Sequence, residues 1–415
     1  MSKMLLMSKN VPVMEINTDE HEYNVVNDNL LPYQIKNKII KMDNIDSIKG
    51  LINAGIKNNM AITSFLAQRI LPITRENAKK IYALFQFEQA QDDHSKALIA
   101  IACRALSLQD NYWLKIDDDK SIWEDVDLRN NHLNEAVTQV ALHGSSLTLT
   151  GNPLTPELTA LGAYAKAWKR EDDGLYLYKK SATNLNESKI EVMVSNLLDK
   201  TNVSHLKYED AYSNGEYCCK CKCMTSSNVS ILSAMDYESY CNRNNINFLN
   251  NIKSIDSEGL YKMMIVDYLI ANRDRHGMNW GLYYNADNMQ IMGLHPLFDH
   301  NNAFDPEYMK NPDAKYLAIP SMTTKEAALY AIKRVDFHFT EAISRNDFMN
   351  EAQYKLFSQR AEELNISIKH DLSDRLSIER MNNSISKGLP FTKELEIKQK
   401  TQSNNLGKDY NEISK

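Results

Sequence analysis

Asn272-Arg-Asp-Arg-His-Gly-Met-Asn279 is followed, further along the chain, by Pro296-Leu-Phe-Asp299. An apolar pattern at helical spacing over residues 257–271 leads directly into the first segment. Two short alternating runs within residues 280–294, joined by a polar turn, predict a β-hairpin between the two segments. The order helix, polar loop, hairpin and aspartate therefore predicts that the two segments meet at one site.

These segments supply the side chains that phosphoryl transfer requires. A carboxylate such as Asp274 can orient a nucleophilic hydroxyl, and Asn279 and Asp299 offer the hard oxygen ligands that suit Mg²⁺. Each of the three residues, taken singly, is more often a turn former than a catalytic group. Their combination, with Phe298 expected to pack beneath the site, favours an ATP-dependent kinase.

The two segments resemble the catalytic and metal-binding segments of HipA-like serine/threonine kinases. They are also similar to the Asp-Arg-His-x-x-Asn pattern of phosphatidylinositol kinases, which share the fold. The resemblance covers about residues 145–385 and is weak over the first 110 residues. It implies that Asp274 is the catalytic base, that Asn279 and Asp299 are metal ligands, and that ATP and Mg²⁺ are the cofactors.

A phosphate loop is implied by Leu161-Gly-Ala-Tyr-Ala-Lys166, which is similar to the Gly-Ala-x-x-Lys loop of HipA proteins. Gly162 is the only glycine in it, so we expect the phosphates to be held mainly by backbone amides around residues 160–163, which include Gly162 and Ala163. Lys166 either helps them or is a solvated surface lysine. HipA-like kinases can phosphorylate a hydroxyl residue in this loop, and the resemblance places Thr159 there; the alternative is that Thr159 only turns the chain.

The lysine that grips the phosphates is expected at the end of the strand predicted over residues 174–179. Lys179 and Lys180 compete for this role. We prefer Lys179, because alternation along a strand places it on the same face as the apolar residues expected to point inward. Its partner on the following helix is expected to be Glu191, with Glu187 one turn earlier as the alternative.

These patterns predict an α+β fold: a bilobal protein-kinase-like fold with a mixed N-lobe and a mainly helical C-lobe, preceded by a small N-terminal α/β domain. The predicted boundaries are 1–144 for the N-terminal domain, 145–250 for the N-lobe and hinge, 251–390 for the C-lobe and 391–415 for a polar, disordered tail. The local predictions are two strands within 4–17, helices within 44–105, an irregular packing segment at 106–113, strands at 146–150, 174–179 and 217–224, a helix over 187–200, and helices after Phe304 to about 385.

Four cysteines crowd into Cys218-Cys-Lys-Cys-Lys-Cys223. Their two-residue period favours a β-strand, and a zinc site is the alternative. His295 and His300 are expected to be structural, since no metal-ligand spacing links them to cysteine. His276 receives no catalytic role.

Composition and charge argue against a nucleic-acid-binding, membrane-spanning or secreted protein. The chain has 415 residues, 43% hydrophobic and 25% charged, with a net charge of −6, so no global basic field favours nucleic acid or anionic membranes. No apolar run of about 18 residues predicts a membrane span, and no secretory signal is recognisable. We therefore expect a cytoplasmic protein without direct contacts to nucleic acid or membrane.

The function that this sequence favours is transfer of the γ-phosphate of ATP to a serine or threonine hydroxyl of a protein whose identity the sequence does not reveal. A phosphatidylinositol-type lipid or small-molecule kinase and a nucleotide-binding pseudokinase scaffold are the alternatives. The resemblance also implies a small DNA-binding antitoxin as a partner.

Overall fold

The computed structural model describes residues 3–20, 22–42, 45–87, 90–131, 133–145, 147, 155–159, 162–182, 186–311 and 313–368. Within them the chain has a mixed α+β fold built on three antiparallel sheets. The side chains of residues 157 and 159 are not part of the description. The predicted tail over 391–415, and the end of the helical stretch predicted to reach residue 385, lie outside the described residues.

The first sheet has the strand order β3-β2-β1-β4 and packs against helices. The strands of this sheet and the helices in the same part of the chain are, in chain order, β1 (Met4–Ser8), β2 (Val11–Asn17), β3 (Glu22–Val25), α1 (Ile48–Ala67), α2 (Ala78–Leu84), α3 (Asp93–Ala102), β4 (Tyr112–Ile116), α4 (Trp123–Val126) and α5 (Glu135–His143). The two strands predicted within residues 4–17 and the helices predicted within residues 44–105 are confirmed. β4 was not predicted, because the strand character of this short segment depends on pairing with β1, where Leu114 lies opposite Leu6.

The second sheet has the strand order β5-β6-β8-β7. It comprises β5 (Lys166–Glu171), β6 (Gly174–Lys179), β7 (Tyr208–Ser213) and β8 (Glu216–Lys222), and α6 (Glu187–Asp199) packs on one face. The predictions for β6, α6 and the strand around residue 217 are confirmed. β5 is a correction, since no strand was predicted between the strands at 146–150 and 174–179. The strand predicted over 146–150 falls outside the described residues except for residue 147, which is not in a strand.

The cysteines of β8 alternate between the two faces of this sheet. Cys218 belongs to the main core, whereas Cys219 and Cys221 lie in a separate buried cluster with Tyr208 on the opposite face. The strand interpretation is therefore confirmed for this segment. In the described part of the chain, no group of three or more histidine, cysteine or acidic residues is placed to hold a metal ion.

The third sheet, with the order β11-β10-β9, lies beside the longest helix. The elements from here to the last described residue are β9 (Val229–Ser233), α7 (Ala234–Arg243), α8 (Phe248–Leu269), β10 (Gly281–Asn285), β11 (Ile291–Leu294), α9 (Pro306–Lys310), α10 (Thr324–Ala331) and α11 (Glu351–Glu363). The predicted hairpin is confirmed as β10 and β11. The helix before it starts earlier than residue 257, because α8 continues across a non-helical residue, Asp256.

A single cluster of buried apolar side chains connects the first sheet and its helices with α6 and α8. At the same junction Tyr33 packs edge-on against Tyr237, Tyr240 and Tyr284. The beginning of the chain thus packs directly on the part that carries the two diagnostic segments. Among the described residues, no helix is long and apolar enough to cross a membrane.

Two histidines near the end of β11 are deeply buried. His295 is 5% exposed and His300 is 1% exposed. Burial lowers the pKa of His295 to about 4 and holds the pKa of His300 well below its ordinary value. Nδ1 of His295 lies 2.9 Å from the carbonyl oxygen of Pro296, to which the neutral ring can donate. Both rings are therefore neutral parts of the folded structure near neutral pH.

We predict that acid weakens the fold through these rings. The folded-state pKa of His295 is depressed, so below its unfolded value of about 6.5 the unfolded chain takes up a proton that the folded chain refuses. Stability present above that pH is then lost progressively as the pH falls toward the folded value. From His295 alone, the free energy of unfolding should drop by about 2 kcal/mol between pH 7 and pH 5.

Urea titrations of wild type and His295→Asn at the two pH values measure this contribution. The variant should show the smaller drop, whereas His338→Asn, which replaces a half-exposed ring, should match wild type. Equal drops in wild type and His295→Asn would contradict the prediction.

Candidate active site

A cavity of about 920 Å³ lies between the second sheet and the loops that follow α8. Residues from distant parts of the chain that were predicted to form the site lie together in this cavity. The predicted residues among those that line it are Gly162, Ala163, Lys166, Lys179, Glu187, Glu191, Asp274, Asn279 and Asp299. The cavity is large enough for a nucleotide-sized ligand.

Lys179 is the centre of the charged groups in this cavity. It is the last residue of β6, and its ammonium lies 2.8 Å from Oε1 of Glu191 on α6 and 2.8 Å from Oδ1 of Asp299. It also donates to the hydroxyl of Tyr208 at 2.9 Å. The adjacent Lys180 also borders the cavity, but its ammonium pairs with Glu216 and not with Glu191. Strand alternation thus brings Lys179 and not Lys180 to Glu191, as the sequence suggested.

Lys179 and Asp299 each favour the charged form of the other. Burial alone would lower the pKa of Lys179, but the carboxylates of Asp299 and Glu191 outweigh it and hold that pKa well above its ordinary value. Burial would raise the pKa of Asp299, but the ammonium groups of Lys179 and Lys166 hold it well below its usual range. Lys179 is therefore a cation and Asp299 an anion throughout the neutral range.

A second lysine enters the cavity beside the first. Lys166 starts β5 and lies directly opposite Lys179 in the strand register. It is 8% exposed, so the interpretation of Lys166 as a solvated surface lysine is wrong. Burial and then the charge of Lys179 lower its pKa to about 7. Two neighbouring strands thus present two amino groups to the same space, an arrangement suited to an anionic ligand.

The predicted phosphate loop folds over the amino group of Lys166. Gly162 has a φ of +100°, in the region that only glycine adopts easily, and a Cβ built on it would collide with the Lys166 ammonium. Any side chain at this position would therefore displace Lys166 as well as strain the backbone. The single glycine of the loop stands where the close approach requires it.

Asp274 lies in the loop after α8, with its carboxylate about one-third exposed to the cavity. The side-chain amide of Asn279 donates to the Asp274 carbonyl at 2.8 Å, and the amide of Asn302 donates to Asp274 Oδ2 at 2.9 Å. Nε2 of His276 is 3.7 Å from Oδ1, beyond hydrogen-bond distance. The carboxylate is thus held on one oxygen by an amide and keeps the other oxygen accessible.

Beneath this loop lies a buried ion pair that the sequence analysis did not identify. Arg275 donates to both carboxylate oxygens of Asp267 on α8, at 3.0 Å each. Its remaining NH group donates to the carbonyls of Asn279 and Phe298, at 2.6 and 2.9 Å. Both charged side chains are fully buried. One guanidinium therefore ties α8 to both segments that carry the site.

The carboxylate of Asp267 is satisfied from two further sides, by the hydroxyl of Tyr316 at 2.7 Å and by the side-chain amide of Asn272 at 2.8 Å. The sequence contained one signal for this ion pair, because Asp267 lies among the apolar residues of the helix predicted over residues 257–271. An acidic residue at such a position requires a buried partner.

Asp299 has an unusual backbone conformation, with a φ of +59°. Such a conformation is uncommon for a residue other than glycine and costs roughly 1–3 kcal/mol where the surroundings impose it. The contact with Lys179 and the bond from Arg275 to the preceding carbonyl fix it here.

The donor set suits a hard divalent cation. The Asn279 amide group uses its NH₂ on the Asp274 carbonyl, so its oxygen is the group that can act as a ligand. Asp299 shares one carboxylate oxygen with Lys179 and is about a quarter exposed to the cavity. Two protein oxygen ligands with the remainder supplied by water and phosphate are typical of Mg²⁺ sites in phosphoryl-transfer enzymes.

Thr159 is the last residue of a short 3₁₀ turn, Pro156–Thr159, just before the loop. Its side chain is outside the description, so the expectation that it becomes phosphorylated stays a prediction.

Most of the residues of this site lie in a stretch of the chain that matches a known family model. Residues 167–347, which contain Lys179, Glu191, Asp274, Asn279 and Asp299, match the family described as HipA-like kinase. Gly162 and Lys166 lie just before the matched region. No curated protein shows significant sequence similarity to the chain.

Comparison with solved structures gives matches of low identity to two further proteins. A proinflammatory kinase of Helicobacter pylori, CtkA, is 14% identical over 48% of this chain and 88% of its own, with a TM-score of 0.38. A chain of the Shewanella oneidensis MR-1 toxin–antitoxin complex of HipA, HipB and operator DNA is 10% identical over 87% of this chain and 95% of its own, with a TM-score of 0.44. The family match spans a little under half of the chain, and that stretch, residues 167–347, is similar to the HipA-like kinase family and contains Lys179, Asp274 and Asp299.

Proposed function

We propose that the chain is an ATP- and Mg²⁺-dependent serine/threonine protein kinase with two lobes, preceded by a small N-terminal domain. The second sheet and α6 correspond to the N-lobe, and α8 with the helices after it corresponds to the C-lobe. The observation that carries the proposal is the Lys179 ammonium, which joins Glu191 and Asp299 in a cavity that also contains Asp274. This is the arrangement of parts that kinase chemistry uses.

Each charged group has a separate task in this proposal. Lys179 and Lys166 bind the phosphate oxygens, together with the backbone amides of Gly162 and Ala163. Asn279 and Asp299 hold the magnesium ion, which when bound neutralises the charge that develops on the phosphates.

Asp274 orients the acceptor hydroxyl and takes its proton. Its Oδ2 already accepts a hydrogen bond from Asn302. The hydroxyl is therefore expected to approach Oδ1, the oxygen without that bond. Because Asn279 and Arg275 fix the loop on both sides of the carboxylate, the base need not be reoriented during the reaction.

A protein partner is also part of the proposal. The Shewanella oneidensis protein was solved together with HipB and operator DNA. We propose a small DNA-binding antitoxin of that kind for this chain. The net charge of −6 favours DNA contact through such a partner rather than through the kinase itself.

Replacing the base is the direct test of the proposed function. Asp274→Asn should keep the fold and lower phosphate transfer by roughly 10²- to 10⁴-fold, the usual contribution of a positioned general base. The measurement is transfer from radiolabelled ATP by purified wild type and variant, with lysate proteins and phosphatidylinositol vesicles offered as acceptors. Label in phosphoserine or phosphothreonine of wild-type reactions supports the proposal. Label in lipid alone, or equal transfer by both proteins, contradicts it.

The two adjacent lysines provide a matched pair of variants. Lys179→Met removes the cation that contacts Glu191 and Asp299, and turnover should fall by roughly 10²- to 10³-fold, as for loss of one preorganised donor. Lys180→Met removes an equal charge at the edge of the cavity, where it pairs with Glu216 and contacts neither Glu191 nor Asp299, and should cost much less turnover than Lys179→Met. Similar losses in both variants would refute the assignment of Lys179.

Thr159 is expected to be modified by the kinase itself. A phosphate there would add a charge of about −1.5 to −2 near a loop that must approach the phosphates of ATP, and should therefore inhibit the enzyme. Peptide mass spectrometry after incubation with Mg²⁺-ATP should find the phosphate in wild type and not in Asp274→Asn. Active wild type with unmodified Thr159 would exclude this form of regulation.

A further inference from the structure

We propose that Arg75 and Glu76, which lie between α1 and α2 in the first part of the chain, are positioning residues for the ATP site. They hold the phosphate loop in the shape that presents its backbone amides to the phosphates. The inference rests on the proposed function and extends it to a segment outside the region that matches the kinase family.

Four hydrogen bonds connect this segment to both sides of the phosphate loop. Before the loop, the Leu71 amide donates to the Leu158 carbonyl at 2.8 Å. Within the loop, the Glu76 amide donates to the Ala163 carbonyl at 2.8 Å, and the Ala165 amide donates to the Glu76 carboxylate at 3.3 Å.

After the loop, the Arg75 guanidinium donates to the Lys166 carbonyl, where β5 begins. The backbone of the loop is therefore held from outside at its start, at its turn and at its end.

Glu76 contacts peptide groups of the loop that differ from those assigned to the phosphates. Glu76 binds the carbonyl of Ala163 and the amide of Ala165, whereas the amides of Gly162 and Ala163 are the ones assigned to the phosphates. The Ala163 carbonyl shares a planar peptide unit with the Tyr164 N–H, so the bond from Glu76 fixes the direction of the peptide that directly follows the two amides assigned to the phosphates. Fixing that neighbouring peptide restricts the backbone of Gly162 and Ala163, which is a form of preorganisation for phosphate binding.

The supporting segment is itself anchored. The hydroxyl of Tyr82 on α2 donates to the Leu71 carbonyl at 2.7 Å, and the Arg75 amide closes a turn on the Pro72 carbonyl at 3.0 Å. The Arg75 side chain is 2% exposed. A loop with only one glycine and a buried lysine beneath it gains a rigid outside partner in this way.

The substitution Glu76→Ala tests the role, with Glu76→Gln as the matched control. Glutamine lacks the charge but keeps an oxygen that can accept the bond from the Ala165 amide. Loss of one such bond should raise the KM for ATP by about threefold to tenfold. The kcat should stay within about twofold, because Asp274 and Lys179 are untouched. Glu76→Gln should restore a KM near wild type.

Amide hydrogen exchange on nucleotide-free protein supplies a readout that does not depend on turnover. Peptides covering residues 158–166 should exchange about threefold to tenfold faster in Glu76→Ala than in wild type or Glu76→Gln, with equal melting temperatures. Wild-type KM and wild-type exchange in Glu76→Ala would overturn the inference. Equal effects in Glu76→Ala and Glu76→Gln would also overturn it, since the charge would then matter and not the bond.

Failure of the proposed function has a different signature. A wild-type protein that neither binds nor turns over ATP would refute the kinase, whereas the exchange comparison would still decide whether Glu76 holds the loop.

Discussion

The buried ion pair between Asp267 and Arg275 is the contact on which the arrangement of the site depends. Removing two charges from water is costly, and replacing such a pair by apolar residues is often neutral or stabilising. Its value here lies in geometry. The planar guanidinium presents NH groups in fixed directions, and they reach α8, the Asn279 carbonyl and the Phe298 carbonyl at once. The loop that carries Asp274 and the residue Asp299 thus share one support.

The charged side chains in the cavity above this ion pair include two lysines, Lys179 and Lys166. Lys179 is neutralised by Glu191 and Asp299, but Lys166 lies close enough to Lys179 for burial and repulsion to lower its pKa to about 7. A bound phosphate would oppose both effects on Lys166, because its negative charge favours the protonated form of that amine. The same repulsion therefore favours binding of an anionic ligand.

Local patterns in the sequence predicted the parts of the site that depend on local structure. Asp274, Asn279 and Asp299 follow from the order helix, loop, hairpin, and the pairing of Lys179 with Glu191 follows from strand alternation and helical spacing. Some of the elements that were not predicted depend on partners far along the chain, as β4 becomes a strand against β1. β5 is different, because it pairs with the adjacent β6 across residues 172–173, and a local hairpin was overlooked there. Neither the Asp267–Arg275 pair nor the hydrogen bonds from Glu76 has a sequence periodicity.

The glycine-poor phosphate loop shows why such distant contacts matter. A loop rich in glycine can adopt the backbone that a phosphate requires, but it loses more conformational entropy when it does so. Here Gly162 occupies a position where a side chain would strike Lys166, and the backbone of Ala163, Ala165 and Lys166 is held by the segment around Glu76. In our proposal the conformational entropy of these residues is therefore lost on folding and not on binding of ATP. A segment outside the stretch that matches the kinase family would in this way contribute to the proposed ATP site.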